Sequence, residues 1–389
     1  MEVNYFMIKK IMVIIGTRPE ATKMAPVVQS LKKYPNWFEV KLVLTGQHKE
    51  QMYQTLDNLK LEPDFDLKLM KEKQTLAYVT TKAILGIDEV IENEKPDIIL
   101  VHGDTQTAMS GALTAFFHKI PVGHVEAGLR SYSKYSPWPE EINRKLVDVL
   151  TDLYFAPTQF NKDNLIKEGY SQEHIYITGQ TAVDSALLTF DRNYIFKNGK
   201  LNKIKDYSGR IITVTAHRRE NYGTAMENMF RAIKKVVEKN PDVLLIYPVH
   251  LSPVVRKSAY EILSQHDRIW LIDPIEYSDM INLIGISYLV LSDSGGLQEE
   301  TSVFHKPMVL MRNTTERPEA VNAGSVILSG TEEQNIYDIS MKILTDDSSY
   351  KMMVNAKNPF GDGKASQRIA NIIANYFKLT DLTETEFID

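Results

Sequence analysis

Two carboxylates stand just past the ends of apolar runs. Asp104 follows Asp97 to Val101 through His102-Gly103, and Glu126 follows Pro121 to Val125. A third, Glu140, opens the helical pattern Glu140 to Leu150 after Ser136-Pro137-Trp138-Pro139. Carboxylates at successive strand ends, in environments that separate their proton affinities, can act as general base and general acid. In this reading Thr105 caps the helix that follows Asp104. Plainer readings stand beside it: Asp104 itself as that cap, and Glu140 as a complement to the helix dipole. Glu126 is hard to explain as a cap.

Positive charge and donors cluster at other turns. Gly16-Thr17-Arg18-Pro19-Glu20 puts Arg18 at a helix start, with Lys23 following. A cation beside free amides makes an anion site, although a surface arginine on an ordinary turn has the same appearance. Ala216-His217-Arg218-Arg219 ends a later apolar run, and arginine grips phosphate oxygens in a fork. A solvated basic turn is the alternative there. Ser292-Asp293-Ser294-Gly295-Gly296 leads into a helix carrying Glu299 and Glu300, a turn whose amides a diphosphate can approach. Thr315-Glu316-Arg317-Pro318 repeats the arrangement of an arginine before a helix-starting proline.

The elements that must hold these turns alternate. Ile11 to Ile15, Val40 to Leu44, Asp97 to Val101, Pro121 to Val125 and Leu153 to Ala156 are strand patterns with helical patterns between them. The pattern restarts with Ile211 to Thr215, Val243 to Tyr247, Ile269 to Ile272, Tyr288 to Leu291 and Met308 to Met311. Strands without polar alternation, separated by helices, indicate parallel sheets covered on both faces. The reading is two open α/β domains, residues 1–190 and 209–363. Residues 191–208, polar and rich in Lys and Asn, form the expected linker. Ligands in such sheets bind beyond the carboxyl ends of the strands, so a cleft between the two domains is the expected site.

Composition narrows the chemistry. The chain has 389 residues, 43% hydrophobic and 24% charged, with a net charge of −5. That charge offers no basic footprint for nucleic acid or an anionic membrane. Ile11 to Ile15 is too short for a signal core, and no apolar run approaches the roughly 20 residues of a membrane span. With no cysteine, disulfides, thiolate metal sites and cysteine nucleophiles are excluded, which fits a reducing cytoplasm. The nine histidines form no His-x-x-x-His pair, and no Gly-x-Gly-x-x-Gly or Walker pattern appears, so no metal and no NAD or other cofactor is expected.

Taken in order, these turns resemble one family. Gly-Thr-Arg-Pro-Glu-Ala, Thr-Gly-Gln-His, Val-His-Gly-Asp-Thr, Gly-His-Val-Glu-Ala-Gly-Leu-Arg and Ser-Pro-Trp-Pro-Glu-Glu-x-Asn-Arg occur in the first half. His-Arg-Arg-Glu-Asn, Tyr-Pro-Val-His, Ser-Asp-Ser-Gly-Gly-x-Gln-Glu-Glu, Thr-Glu-Arg-Pro-Glu-Ala and Asn-Pro-Phe-Gly-Asp-Gly follow. From about residue 10 to 375 the chain resembles the bacterial non-hydrolysing UDP-N-acetylglucosamine 2-epimerases. The resemblance implies a GT-B arrangement of two Rossmann-like α/β domains, a last helix at about 364–379 returning to the first domain, and a homodimer. It implies interconversion of UDP-GlcNAc and UDP-ManNAc by anti elimination of UDP to 2-acetamidoglucal and re-addition, in service of cell-surface polysaccharide. By that resemblance Asp104, Glu126 and Glu140 are the acid/base carboxylates. His217, Arg18, Ser294, Gly295, Gly296 and Arg317 hold the diphosphate side, Lys23 lies nearby, and Glu300 holds the ribose.

Departures from the family pattern mark this chain. Met280 stands where an aromatic residue against uracil is frequent, and Ile275 where Gln is common. Ala216 replaces a frequent Gly, and Gln106 a frequent Thr. Many bacterial members bind a second UDP-GlcNAc as activator; Gln47, Arg218 and His250 match that site, and Lys71 takes the place of an Arg. A hydrolysing epimerase releasing ManNAc and UDP, a GT-B glycosyltransferase with a separate acceptor, and a non-catalytic nucleotide-sugar sensor are the rival readings.

Overall fold

The computed structural model describes residues 7–46, 50–69, 71, 74–381 and 386–388. The chain forms two compact units, 7–185 with 361–388 and 186–360 within those described residues. In the first, strands β1 (Lys9–Ile15), β2 (Phe38–Leu44), β3 (Phe65–Asp66), β4 (Ile98–His102), β5 (Val122–Val125), β6 (Leu153–Ala156) and β7 (Ile175–Ile177) make one parallel sheet. Their order is β3-β2-β1-β4-β5-β6-β7. Side chains alternate across it: Ile11, Val13 and Ile15 enter one core, Met12 and Ile14 the other. Burial on both faces is why these strands read as unbroken apolar runs.

The second unit repeats the plan with β8 (Arg210–Thr215), β9 (Val243–Pro248), β10 (Ile269–Ile272), β11 (Leu289–Ser292), β12 (Met308–Leu310) and β13 (Val326–Leu328). These strands are parallel, in the order β10-β9-β8-β11-β12-β13. Each sheet therefore has a switch point where the winding reverses, between β1 and β4 in the first and between β8 and β11 in the second. A crevice at the carboxyl ends of such a strand pair is where open α/β sheets bind ligands.

Residues 191–208, expected as a linker, pack instead as part of the second unit. Phe196, Leu201 and Ile204 join a core with Ile211, Leu244 and Ile246. Buried Asp279, on helix Tyr277–Ile286, accepts hydrogen bonds from Lys197 N (2.9 Å), Asn198 N (3.0 Å) and Tyr194 Oη (2.9 Å). The polar composition of this stretch hid an anchored strap. The last helix, Ala365–Tyr376, lays Ile369, Ala370, Ile372 and Ile373 into the first unit's core. Asp184 holds its start by accepting from Ala365 N (3.2 Å) and Ser366 N (2.8 Å).

Candidate active site

At the first switch point the turn after β1 is organised by Glu20. Its carboxylate accepts from Gly16 N (3.1 Å), Thr17 N (2.7 Å) and Thr105 Oγ1 (2.7 Å), the last from the turn after β4. The Gly16 and Thr17 amides, expected to be free for an anion, are thus taken by an internal carboxylate. Burial pushes Glu20 up to about 7 despite those donors. The signal for this role in the sequence is the capping box, a glutamate three residues after the cap Thr17.

Thr105, not Asp104, caps helix Gln106–Phe117, its hydroxyl accepting from Ala108 N at 3.0 Å. Asp104 is left to face helix Glu140–Val149. Arg144 Nη2 donates to its carboxylate, and Asn143 Nδ2 donates to its carbonyl at 3.0 Å. Asn143 and Arg144 thus serve the turn after β4, and Asp148, one turn further along this helix, holds His124 of β5. Burial raises the proton affinity of Asp104, Glu126 and Glu140 add to that, and Arg144 and Lys23 oppose it. The three carboxylates therefore share one electrostatic environment.

Glu126 follows β5 in a left-handed conformation, φ +69°, unusual for any residue but Gly. It is 8% exposed. Lys23 Nζ ion-pairs with its Oε2, and Gln180 Nε2 donates to the same oxygen at 2.7 Å. Lys23, expected near the diphosphate, here lies on the carboxylate. Behind both acids runs a buried chain: Arg130 Nη2 donates to Asp148 Oδ2 (2.6 Å), and His124 bonds Asp148 Oδ1 (2.6 Å) and the carbonyl of Gly103 (2.8 Å).

The second switch point mirrors the first. Asp293, fully buried after β11, accepts from His217 N (3.0 Å), Arg218 N (2.8 Å) and Asn221 Nδ2 (3.2 Å). Again an internal carboxylate takes the amides and displays the side chains. The His217 ring stacks on His250, with centroids 5.4 Å apart, and burial lowers its pKa, so it is poised as a neutral donor or acceptor. Arg218 Nε is buried without a hydrogen-bond partner among the described residues.

The glycine turn is tightly constrained. Ser294 N donates to Ser292 Oγ (2.9 Å), and a Cβ on Gly295 would stand 2.3 Å from Glu316 Oε1. Gly296 caps helix Leu297–Val303, with Glu300 in its first turn. Arg317, expected on the diphosphate, donates through Nε to Glu299 (2.6 Å) and through Nη1 to Glu316 (2.9 Å). Arg312, missed in the sequence because it follows an ordinary apolar strand, donates to Glu316 at 3.1 Å. Burial pushes Glu316 up, but Arg317 and Arg312 hold it below the usual carboxylate range. Met280 is half-buried on helix Tyr277–Ile286. Of the other residues matched to an activator, Lys71 Nζ lies over the Tyr78 ring at 5.5 Å, and Gln47 falls outside the described residues. Among the described residues no group of three His, Asp or Glu is arranged to hold a metal ion, and no helix is long and apolar enough to cross a membrane.

Residues 29–374 match the sequence profile described as UDP-N-acetylglucosamine 2-epimerase. The chain belongs to that family. The UDP-N-acetylglucosamine 2-epimerase of Bacillus subtilis (strain 168) is 49% identical over 362 residues, 92% of this chain and 93% of that protein. The crystal structure of a Listeria monocytogenes homologue superposes with a TM-score of 0.91 at 44% identity, covering 98% of this chain and all of the other. The Neisseria meningitidis UDP-GlcNAc 2-epimerase, crystallised with UDP-GlcNAc bound, gives a TM-score of 0.86 at 41% identity over 94% of this chain and all of its own. Membership in the UDP-N-acetylglucosamine 2-epimerase family supports an isomerase role, and the two Rossmann-like α/β units are the family's fold.

Proposed function

We propose that the chain interconverts UDP-GlcNAc and UDP-ManNAc without net hydrolysis. The observation that carries this reading is the shared environment of Asp104, Glu126 and Glu140, with a cation placed on the first two, in a chain of this family. A hydrogen on C2 of the sugar is too weakly acidic for simple removal. Taken as a proton by one carboxylate while the C1–O bond breaks, it leaves its electron pair as the C1=C2 bond of 2-acetamidoglucal, and UDP departs with the C1–O pair. Another carboxylate then delivers a proton to the opposite face of C2, and the UDP oxygen re-adds to C1. A general base and acid contribute roughly 10²- to 10⁴-fold to such a step.

The donors of the second domain take the leaving group. His217, Ser294, Gly295 and Gly296 with Arg18 stabilise the charge that develops on the diphosphate, where preorganised donors act most strongly; Glu300 accepts from the ribose. Arg317 acts one step back, fixing Glu316 and Glu299 around the glycine turn. A second UDP-GlcNAc as activator fits His250, whose ring stacks on His217 and would pass on its occupancy. Homodimer formation fits the apolar side chains left exposed on three neighbouring helices, Leu85, Phe116, Phe117, Leu146 and Val149. Incubation with UDP-GlcNAc alone, followed by NMR, tests the reading. UDP-ManNAc as product supports it; UDP with free sugar, or no turnover until an acceptor is added, contradicts it.

A further inference from the structure

Two buried histidines occupy neighbouring strands of the first sheet, and only one is satisfied. His124 on β5 bonds through both ring nitrogens, to Asp148 and to the Gly103 carbonyl. His102 on β4 is 4% exposed, and its Nε2 is buried without a hydrogen-bond partner among the described residues. That nitrogen lies 3.6 Å from Glu126 Oε2. Buried polar atoms are nearly always hydrogen-bonded, and an orphan needs a reason.

The separation itself is informative. An N–H facing a carboxylate closes to about 2.7–3.2 Å, and Oε2 already receives donors from Lys23 and Gln180. A gap of 3.6 Å is longer than such a bond, so none joins the two atoms while Glu126 is held by Lys23 and Gln180. Burial, with Lys23 and His124 close by, lowers His102 to about 3, although the charge of Glu126 works the other way. The ring is therefore neutral, with one nitrogen carrying a lone pair.

We propose that His102 is a positioning residue that raises the proton affinity of Glu126, its Nε2 accepting the hydrogen bond of the carboxyl once Glu126 has taken a proton. Lys23 and Gln180 stabilise the ionised form and His102 the protonated one, so the pair brackets Glu126 between its two states. The inference rests on the reading of Glu126 as an acid/base carboxylate. The charged and titratable groups around it are Lys23 from helix Arg18–Lys32, His102 from β4, His124 from β5, and Asp104 with its own neighbours Arg144 and Glu140.

The test is the pH profile of kcat/KM for epimerisation of UDP-GlcNAc by the full chain. His102→Phe moves the acidic limb to lower pH by about one unit, the worth of one hydrogen bond. In it kcat falls on the order of tenfold, and KM stays within about threefold. His102→Gln, whose carbonyl oxygen reaches the same place, returns the limb to its original position. Should the phenyl ring prevent folding, His102→Asn, too short to reach Glu126, gives the same displacement. A limb that stays in place or moves to higher pH in the folded variant overturns the inference. Glu126→Gln separates the two levels. If it keeps normal turnover, the reading of Glu126 fails; if it abolishes turnover while the limb of the His102 variants is unmoved, only the role of His102 fails.

Discussion

The two switch points share a scaffold and differ in what it displays. In each, a buried carboxylate, Glu20 in the first domain and Asp293 in the second, takes the backbone amides of the turn that follows the domain's first strand. The first domain then sets acids at its strand ends and answers them with cations, Lys23 on Glu126 and Arg144 on Asp104. The second sets cations and imidazoles at its strand ends and answers them with acids, Glu299 and Glu316 on Arg317. One fold, inverted in charge, holds acids with cations in one unit and cations with acids in the other; on the proposed function the first is the proton-transfer half and the second the anion-holding half.

That division can be broken experimentally. The largest effect is expected from Glu126→Gln or Asp104→Asn: turnover falls about 10³-fold, while calorimetry shows UDP affinity within about threefold of the parent. A loss of UDP binding instead would erase the division. Glu20 gives the next largest effect. Its carboxyl titrates at about 7 rather than near 4.5, so its contribution to stability is full below pH 4.5 and is lost as pH rises through 7. This is on the order of 3 kcal/mol, and denaturant titrations of Glu20→Gln between these pH values should show a flatter dependence than the parent.

Arg144→Met removes the cation opposing the raised proton affinity of Asp104. The limb governed by Asp104 then moves to higher pH, and kcat at neutral pH falls about a hundredfold, measured on the same rate profile. The smallest effect belongs to Asp293→Asn. Weakening the charge-assisted bonds to the His217 and Arg218 amides lets the turn relax, and UDP affinity falls about tenfold while the pH profile of turnover keeps its shape.

The sheets were legible because buried parallel strands announce themselves: β1, β4, β8 and β11 stand where the apolar runs Ile11 to Ile15, Asp97 to Val101, Ile211 to Thr215 and Tyr288 to Leu291 place them. The strap 194–198 was not, since its anchors, buried Asp279 and the core that takes Phe196, are distant in sequence. Asp104 and Glu126 were legible as acids past strand ends. His102 and Asp293 were in view within the same motifs, yet their roles come from burial and from partners on other strands, which spacing does not encode. Arg144 needed the helix face that turns it toward Asp104. Asp104, Glu126 and Lys23 were readable from the turns, whereas that Lys23 lies on Glu126 and Arg144 on Asp104 was not.

The most direct test of the whole account is turnover of UDP-GlcNAc in D₂O. Solvent deuterium should appear at C2 of UDP-ManNAc and of the UDP-GlcNAc that re-forms, with no free ManNAc accumulating. UDP-GlcNAc that binds and is recovered with its C2 hydrogen intact would contradict it.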